Sequence, residues 1–386
     1  APTIRLMIEL RGIAWNHSRG FTSVVATGQR FEELHPGVRV TWEKRSLQAF
    51  ADASMRDLAA RYDLIVMDHP HTAVAATDNL LLPLDELMPE GFLADQAAHS
   101  VGASHVSYAF NGHQWTLAID AATPIATWRP DLVVNYGLTL PATWDDVLSM
   151  AREGFVTVSA FPIDVLMHTY MFTQAAGHAP FSTGEGIGPV DTVAGALEEL
   201  KRLVDLCDPA CLERDPIRTA EWMSGVEDDP RAAYCPFAYG YSNYSRPGYA
   251  RHVLKAGGLV THRGRRLRST LGGAGVAVSA RTKHPQAAAD YAMFTAAPDV
   301  QRGIYFAAGG QPGHRSAWVD PAVNAACHGF FQDTLPTLDE AICRPKVPGY
   351  MDFQDAAAPV AHAAVAGRTS VTDAAREMAK LWEKIR

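Results

Sequence analysis

Residues 31–68 read FEELHPGVRVTWEKRSLQAFADASMRDLAARYDLIVMD. The first letters end an amphipathic helix at the HPG of residues 35–37, because proline cannot continue a helix and glycine tolerates the turn. Residues 38–43 then alternate apolar with polar side chains, which is the periodicity of a strand. A second helix follows, and the mostly apolar run 62–68 suits a parallel strand buried on both faces. The stretch therefore predicts helices alternating with parallel strands.

The same alternation extends in both directions from this stretch. Residues 10–14 form an earlier strand, and helical spacing recurs in residues 144–152 and 191–206. Residues 271–279 include GGAG, whose small side chains let a strand pass close to its neighbour, and a helix over 285–296 follows. A chain of 386 residues is too long for one ordinary core. We therefore expect an α/β protein with two domains.

Composition excludes several classes of protein. The net charge of -8 argues against a nucleic-acid-binding protein, which needs basic faces to displace counterions. Apolar residues make up 47% and charged residues 20%, as in ordinary globular proteins, and no apolar run reaches the roughly 18 residues needed to span a bilayer. The sequence contains no phosphate-binding GxxxxGK[ST], no HExxH and no GxSxG motif, so it offers no enzyme signature. We expect no cofactor and no metal.

Polar residues follow three of the predicted strands, where each strand ends. Trp15, Asn16, His17 and Arg19 come after the first strand and before a helix, Arg45 follows the second, and Asp68 and His69 follow the third. Ligands of parallel α/β sheets bind beyond the carboxyl ends of the strands. Histidine and arginine donors here favour an anionic solute, unless Asp68 and Glu43 neutralise the arginines. In the empty protein we expect Arg19 to be solvated and to hold little folding energy.

Aromatic and polar candidates also lie further along the chain. The segment AYCPFAYGYSNYS, residues 233–245, has little helical regularity and is rich in tyrosine, which combines a stacking face with a polar tip. From it we select Tyr239 and Tyr241 as binding residues, with core packing as the alternative. The remaining candidates are Trp115, Asp120, Gln311 and Tyr350.

The order of these segments resembles a known family. FEELHPGVRVTWE and YDLIVMD are followed by LLLPLDEL (80–87), FNGHQWTLAIDAATPIATWRPDLV (110–133), LPATWDDVLSMA (140–151) and GGAGVAVSARTKHPQAAADYAMFTA (272–296). A late segment, YMDFQDAAAPVAHAAVAGRTSVTDAAREM, covers 350–378. Together they are similar to the type 1 extracellular solute-binding proteins of ABC importers, which have the fold of maltose-binding protein. The binding residues of the sugar receptors are not matched one for one, so the resemblance does not identify the solute.

The resemblance implies a two-lobed periplasmic-binding-protein-like fold, each lobe a sheet flanked by helices, with a ligand cleft between lobes joined by hinge crossings. The first lobe would comprise residues 1–120 and 272–315, and the second 121–271 and 316–386. The expected function is capture of a small polar solute (a sugar, sugar acid or small organic acid) and its delivery to the transmembrane subunits of an ABC permease. The protein would be a monomer exported to the periplasm or the cell exterior, its signal peptide absent from this chain.

Two other functions stay open at this point. One is a two-domain α/β hydrolase or transferase acting on a small metabolite. The other is a ferric-ion receptor in which Tyr239 and Tyr241 supply phenolate ligands. Five cysteines are an odd number and too few for a disulfide-built fold. Cys207 and Cys211 are predicted to be thiols, with a local bridge or a metal site as the alternatives.

Overall fold

The chain divides into two units, each assembled from separate stretches of sequence. The computed structural model describes residues 7–46, 49 and 54–385. The first unit comprises the residues up to Ala122, then Gly272–Asn324 and Lys346–Pro348. The second comprises Thr123–Leu271, Ala325–Pro345 and the residues from Gly349 onward. Part of the helix predicted between the second and third strands, residues 47, 48 and 50–53, lies outside the described residues.

The described elements, in chain order, are twelve strands and sixteen α-helices. The strands are β1 (Ile8–Trp15), β2 (Val38–Arg45), β3 (Leu64–Met67), β4 (Ala109–Phe110), β5 (His113–Gln114), β6 (Leu117–Ala122), β7 (Pro124–Trp128), β8 (Tyr234–Tyr239), β9 (Lys255–Gly257), β10 (Thr261–His262), β11 (Arg265–Arg266) and β12 (Gly272–Val278). The helices are α1 (Thr22–Leu34), α2 (Met55–Arg61), α3 (Thr72–Thr77), α4 (Glu90–Ala98), α5 (Pro130–Asn135), α6 (Trp144–Arg152), α7 (Pro162–Ala175), α8 (Val190–Val204), α9 (Pro216–Gly225), α10 (Pro285–Ala296), α11 (Pro298–Val300), α12 (Arg315–Trp318), α13 (Pro321–Ala326), α14 (Phe330–Asp339), α15 (Tyr350–Val365) and α16 (Val371–Glu383).

The sheet of the first unit has the strand order β2-β1-β3-β12-β6. Strands β1, β2 and β3 are parallel, as expected, but β12 runs antiparallel to both β3 and β6, so the sheet is mixed. The glycines of β12 allow this insertion: a Cβ on Gly273 would lie 2.5 Å from the Asp120 carbonyl oxygen, and one on Gly275 2.8 Å from that of Leu117. The close approach predicted for GGAG is confirmed.

Both faces of this sheet are covered. Leu64 and Val66 of β3 pack in one apolar layer with Leu10, whereas Ile65 and Met67 pack in the opposite layer. All four β3 side chains are buried. This alternation follows from the two-residue period of a strand and explains why β3 reads as a continuous apolar run.

The second unit has a three-stranded antiparallel sheet, β8-β7-β9, and a helical core. Helix α6 begins with a capping box in which Thr143 and Asp146 satisfy each other's backbone N–H groups. Its Trp144 packs on Phe172 and Phe237, with ring centroids 4.8 and 5.9 Å away. The predicted α/β class, with a sheet and helices in each unit, is confirmed.

The unit boundaries differ from the predicted ones near the third crossing. Residues 316–324, expected in the second lobe, belong to the first unit. Trp318 Nε1 donates a hydrogen bond to the Pro312 carbonyl at 2.6 Å, and Asn324 Nδ2 donates one to the Trp318 carbonyl at 2.8 Å. Residues 346–348 also return to the first unit, where Lys346 Nζ donates to the carbonyls of Val106 and Ala109 at 2.8 and 2.6 Å. The periodicity of the sequence does not predict hydrogen bonds of this kind between distant residues.

Among the helices of the described residues, none combines the length and the apolar character that a membrane crossing requires.

Candidate functional site

The sheet register of the first unit gathers the predicted binding residues at one edge. Trp15 lies opposite Arg45 in the β1–β2 ladder. Met67, just before Asp68, lies opposite Gly275 of β12. Ala274, the residue before Gly275 in β12, lies opposite Asp120 of β6. The carboxyl ends of β1, β2 and β3 thus lie at the same edge of the sheet as Asp120. We call Trp15, His17, Arg19, Arg45, Asp68 and Asp120 the strand-end cluster.

The loop after β1 is held in a tight turn. The N–H groups of Gly20 and Phe21 donate to the His17 carbonyl at 3.0 and 2.8 Å, and the Asn16 N–H donates to the Arg45 carbonyl at 2.7 Å. His17 Nδ1 accepts from the Arg19 N–H at 3.0 Å. Burial, aided by the Arg19 charge, lowers the pKa of His17 to about 3. At neutral pH the imidazole is therefore uncharged, and its remaining proton is on Nε2.

Arg19 and Asp120 are joined in a bidentate ion pair. Arg19 Nε and Nη2 lie 2.7 and 2.6 Å from the two Asp120 oxygens, and the side chains are 5% and 0% exposed. The guanidinium also lies over the Trp15 ring, 5.5 Å from its centroid. Burial raises the pKa of Asp120, and the Arg19 charge opposes that rise. The expectation that Arg19 is solvated is wrong, because the side chain is buried and its charge is paired with a carboxylate 101 residues away. Its contribution to folding energy stays to be measured.

The other charges of the cluster have different environments. Asp68 Oδ1 accepts from the His69 N–H at 2.8 Å and so caps the 3-10 turn His69–His71. Arg45 is half-buried, and burial lowers its pKa to about 10. Glu43, considered as a neutralising group, instead pairs with exposed Arg11 at 2.8 Å. Two arginines and two aspartates give the strand-end cluster no net charge while His17 is neutral.

Four more candidates have structural hydrogen bonds or caps. Trp115 Nε1 donates to the Phe110 carbonyl at 2.9 Å, and Gln311 Nε2 donates to the Ala121 carbonyl at 2.8 Å. His69 is 1% exposed and its ring lies edge-on to Tyr108. Tyr350, in the second unit, is 0% exposed, with its hydroxyl 3.1 Å from that of Tyr170. These environments account for the four residues through packing, and their binding roles stay predictions.

The two tyrosines selected in the second unit differ from each other. Tyr239 ends β8, is partly exposed, and has its hydroxyl 2.9 Å from Thr270 Oγ1. Tyr241 is 8% exposed and packs in an apolar cluster with Tyr244, the ring centroids 6.4 Å apart. Both line a small cavity that has room for about one water molecule. A sugar-sized solute does not fit inside this cavity.

These environments bear on two alternatives. The Tyr239 hydroxyl lies at hydrogen-bond distance from Thr270 Oγ1, and Tyr241 packs among apolar side chains, so both tyrosines have structural contacts, and the ferric-ion alternative stays a hypothesis. Cys207 and Cys211 are buried thiols without a bridge between them. Burial raises the pKa of Cys211 to about 12, which keeps that thiol protonated and unreactive.

Sequence reasoning missed two features. The pairing of Arg19 with Asp120 has no local sequence signal, because it depends on the register of β12 between β3 and β6. The second feature is a cluster of Asp95, His99 and His314. The only local signal for it is a carboxylate and an imidazole four residues apart, Asp95 and His99, a spacing that puts both on one face at the end of α4.

Comparisons with known proteins show what this chain is similar to. Residues 14–157 match the family model of the bacterial extracellular solute-binding proteins. The fold is similar to that of maltose-bound MalE3 of T. maritima, with 18% identity, 98% of this chain and 100% of that chain covered, and a TM-score of 0.81.

Two further structures are similar over the same length. An ABC transporter solute-binding protein from Agrobacterium radiobacter in complex with ribitol has 18% identity, coverage of 99% of this chain and 100% of that one, and a TM-score of 0.82. Another from Thermotoga lettingae, bound to alpha-D-tagatose, has 16% identity, coverage of 98% and 99%, and a TM-score of 0.79. The chain thus resembles the bacterial extracellular solute-binding proteins over residues 14–157 and shares the fold of these structures over nearly its whole length.

Proposed function

We propose that this protein is the solute receptor of an ABC importer and that its solute is a neutral, hydroxyl-rich molecule, a sugar or a polyol. The observation that carries the proposal is the Arg19–Asp120 ion pair, which removes the main argument for an anionic solute. With its charges balanced and His17 neutral, the strand-end cluster offers hydrogen-bond donors and acceptors without a net charge. Such a set suits hydroxyl groups, which both donate and accept.

Similar proteins support the same class of solute. The related structures have bound maltose, ribitol and alpha-D-tagatose, all uncharged and rich in hydroxyl groups. The family consists of receptors, which favours a receptor over the hydrolase or transferase alternative. Export to the periplasm or the cell exterior and delivery to an ABC permease are parts of the proposal that the family description supports. Action as a monomer is a further part of the proposal.

Tyr239 is the residue of the second unit that we assign to the solute. It is partly exposed at the end of β8, and its aromatic face suits packing against the apolar face of a sugar ring. Asn16, the exposed residue of the loop after β1, is the corresponding choice in the first unit.

Paired solutes test the charge of the ligand directly. Thermal shift and calorimetry would compare sugars and polyols with the acids of the same carbon skeleton, for example glucose with gluconate and glucuronate. A ligand that binds only the folded state raises the melting temperature, by an amount set by its concentration relative to Kd. We expect at least one neutral member to bind and its acid to bind more weakly. Binding of acids alone would overturn the proposed solute class, and consumption of a bound solute during incubation would favour the enzyme.

A further inference from the structure

Three metal-ligating side chains converge at the end of α4 in the first unit. Asp95 lies in the last turns of α4, His99 directly follows the helix, and His314 precedes α12. His99 Nδ1 is 2.9 Å from Asp95 Oδ1, and His314 Nε2 is 3.1 Å from Asp95 Oδ2. One ligand atom from each residue lies within 4.8 Å of the other two. None of these residues belongs to the strand-end cluster.

Backbone hydrogen bonds hold the two segments of this cluster together. The Arg315 N–H donates to the His99 carbonyl at 2.7 Å, and Arg315 Nε donates to the Ser100 carbonyl at 3.1 Å. Ser100 and His314 also form an isolated antiparallel bridge. The two imidazole rings stack with centroids 5.1 Å apart and planes 18° from parallel. The distance between the histidines is therefore set by the fold and not by chance contact of two mobile side chains.

Both ring nitrogens of His314 have partners. Nδ1 accepts from the Ser316 N–H at 3.2 Å, so the ring proton is on Nε2, which donates to Asp95 Oδ2 at 3.1 Å. For Nε2 to bind a metal, the proton must move to Nδ1, where Ser316 Oγ, 2.8 Å away, can accept it. Arg302 is the nearby charge that opposes a cation, and it is paired with Asp299. Asp95 supplies the compensating negative charge.

We propose that Asp95, His99 and His314 form a binding site for a divalent transition-metal ion of the zinc class. Two imidazoles and a carboxylate suit Zn²⁺, Co²⁺, Ni²⁺ and Cu²⁺, whereas Mg²⁺ and Ca²⁺ prefer sites built from oxygen ligands. Three protein ligands leave one position of a tetrahedral ion for water. The ion would replace the hydrogen bonds of Asp95 to the two rings.

A bound ion would join the end of α4 to the segment before α12. These segments are more than 200 residues apart in sequence, so the ion acts as a cross-link within the first unit. Because a metal that binds the folded state stabilises it, the expected consequence is a higher melting temperature in the presence of the metal. Solute binding by the strand-end cluster is not required for this effect.

The test uses the full chain without a polyhistidine tag. Calorimetric titration with ZnCl₂ should give one site per chain, and CoCl₂ should produce the visible absorption bands of tetrahedral Co²⁺. MgCl₂ and CaCl₂ should not compete. His99→Gln is the decisive variant, because the His99 side chain is 50% exposed and its replacement leaves the core intact. It should weaken Zn²⁺ binding at least about tenfold, since losing even an outer-shell partner of a metal costs that much.

His113→Gln is the matched control. His113 forms the same kind of contact, Nδ1 to an Asp85 oxygen at 2.8 Å with both side chains partly exposed. Among the described residues, however, no group of three potential ligands includes it. It should bind Zn²⁺ as tightly as the parent and retain the same rise in melting temperature. Equal Zn²⁺ affinity in the parent and His99→Gln, or no binding by the parent, would overturn the site. Equal binding of Mg²⁺ or Ca²⁺ would overturn the metal class.

Discussion

Arg19 and Asp120 form a buried bidentate ion pair between the loop after β1 and the β6 strand. Removing one partner of a buried pair leaves the other charge without compensation, which costs about 3–5 kcal/mol. We expect Arg19→Met to lower the free energy of unfolding by that amount and Arg19→Met with Asp120→Leu to lower it less than the two single changes combined. Urea unfolding of the three variants measures both quantities.

The exposed Arg30–Glu33 pair provides the control for this cycle. Its side chains are 50% and 65% exposed, so Arg30→Ala should cost less than about 1 kcal/mol. A loss of stability in Arg19→Met as small as in Arg30→Ala would show that the Arg19 charge is solvated after all.

His17 should make stability depend on pH. Its pKa is about 3 in the folded protein and about 6.5 in an unfolded chain, so below pH 6.5 the unfolded state binds a proton that the folded state does not. The stabilisation present above pH 6.5 is therefore lost as the pH falls. At pH 5 the loss in the free energy of unfolding is about 2 kcal/mol. His17→Asn keeps an acceptor for the Arg19 N–H and should lose this part of the pH dependence. Chemical unfolding at pH 7 and pH 5 gives the comparison; parallel changes in parent and variant would contradict the burial of His17.

Gly20 should tolerate no side chain, because the Trp15 ring lies against it. A Cβ added at Gly20 would be 2.4 Å from a ring atom, so Gly20→Ala must displace the indole. We expect a loss of about 1–3 kcal/mol in the free energy of unfolding, the usual cost of overpacking, together with weaker solute binding. Gly91, within α4, has open space where a Cβ would stand, with no neighbouring atom within 4 Å, and Gly91→Ala should stabilise the protein by about 0.5–1 kcal/mol. Equal effects of the two changes on stability would contradict the close contact.

Tyr239 and Tyr241 should separate binding from stability. Tyr241→Ala opens space in an apolar cluster and should cost about 3–5 kcal/mol of stability, as for other large aromatic residues. Tyr239→Ala, at a partly exposed position, should cost less stability but reduce affinity for the neutral solute. Tyr136 directly follows α5 and is 40% exposed, so Tyr136→Ala should change neither the stability nor the solute affinity much. Calorimetry and urea unfolding distinguish these outcomes, and unchanged affinity in Tyr239→Ala would remove it from the site.

The local elements could be predicted because their signals lie within a few residues. The HPG turn ends α1 at Leu34, and the apolar run around β3 is buried on both faces, as its composition indicated. Helix α10 has the predicted bounds, Pro285–Ala296. In each case the information is a 3.6- or two-residue period together with a residue that ends the element.

The candidate site was predicted less completely, for a physical reason. Strand ends correctly identified which residues gather at the edge of the sheet, but not which charges cancel. Arginines in the sequence suggested an anion, whereas the fold pairs one of them with Asp120. The strength of an ion pair depends on the distance between its charges and on their burial. The sequence gives neither of these for Arg19 and Asp120, which are 101 residues apart.

The sequence by itself determined the element types, the α/β class and the family resemblance, because periodicity, turn residues and segment order are properties of neighbouring residues. Only the tertiary structure decided that β12 enters the sheet antiparallel beside β3, bringing Ala274 opposite Asp120. It also decided that His314 reaches Asp95, 219 residues earlier in the chain. Contacts of this kind depend on strand register and on where a returning segment packs, which the packing of the whole unit selects and no local pattern encodes.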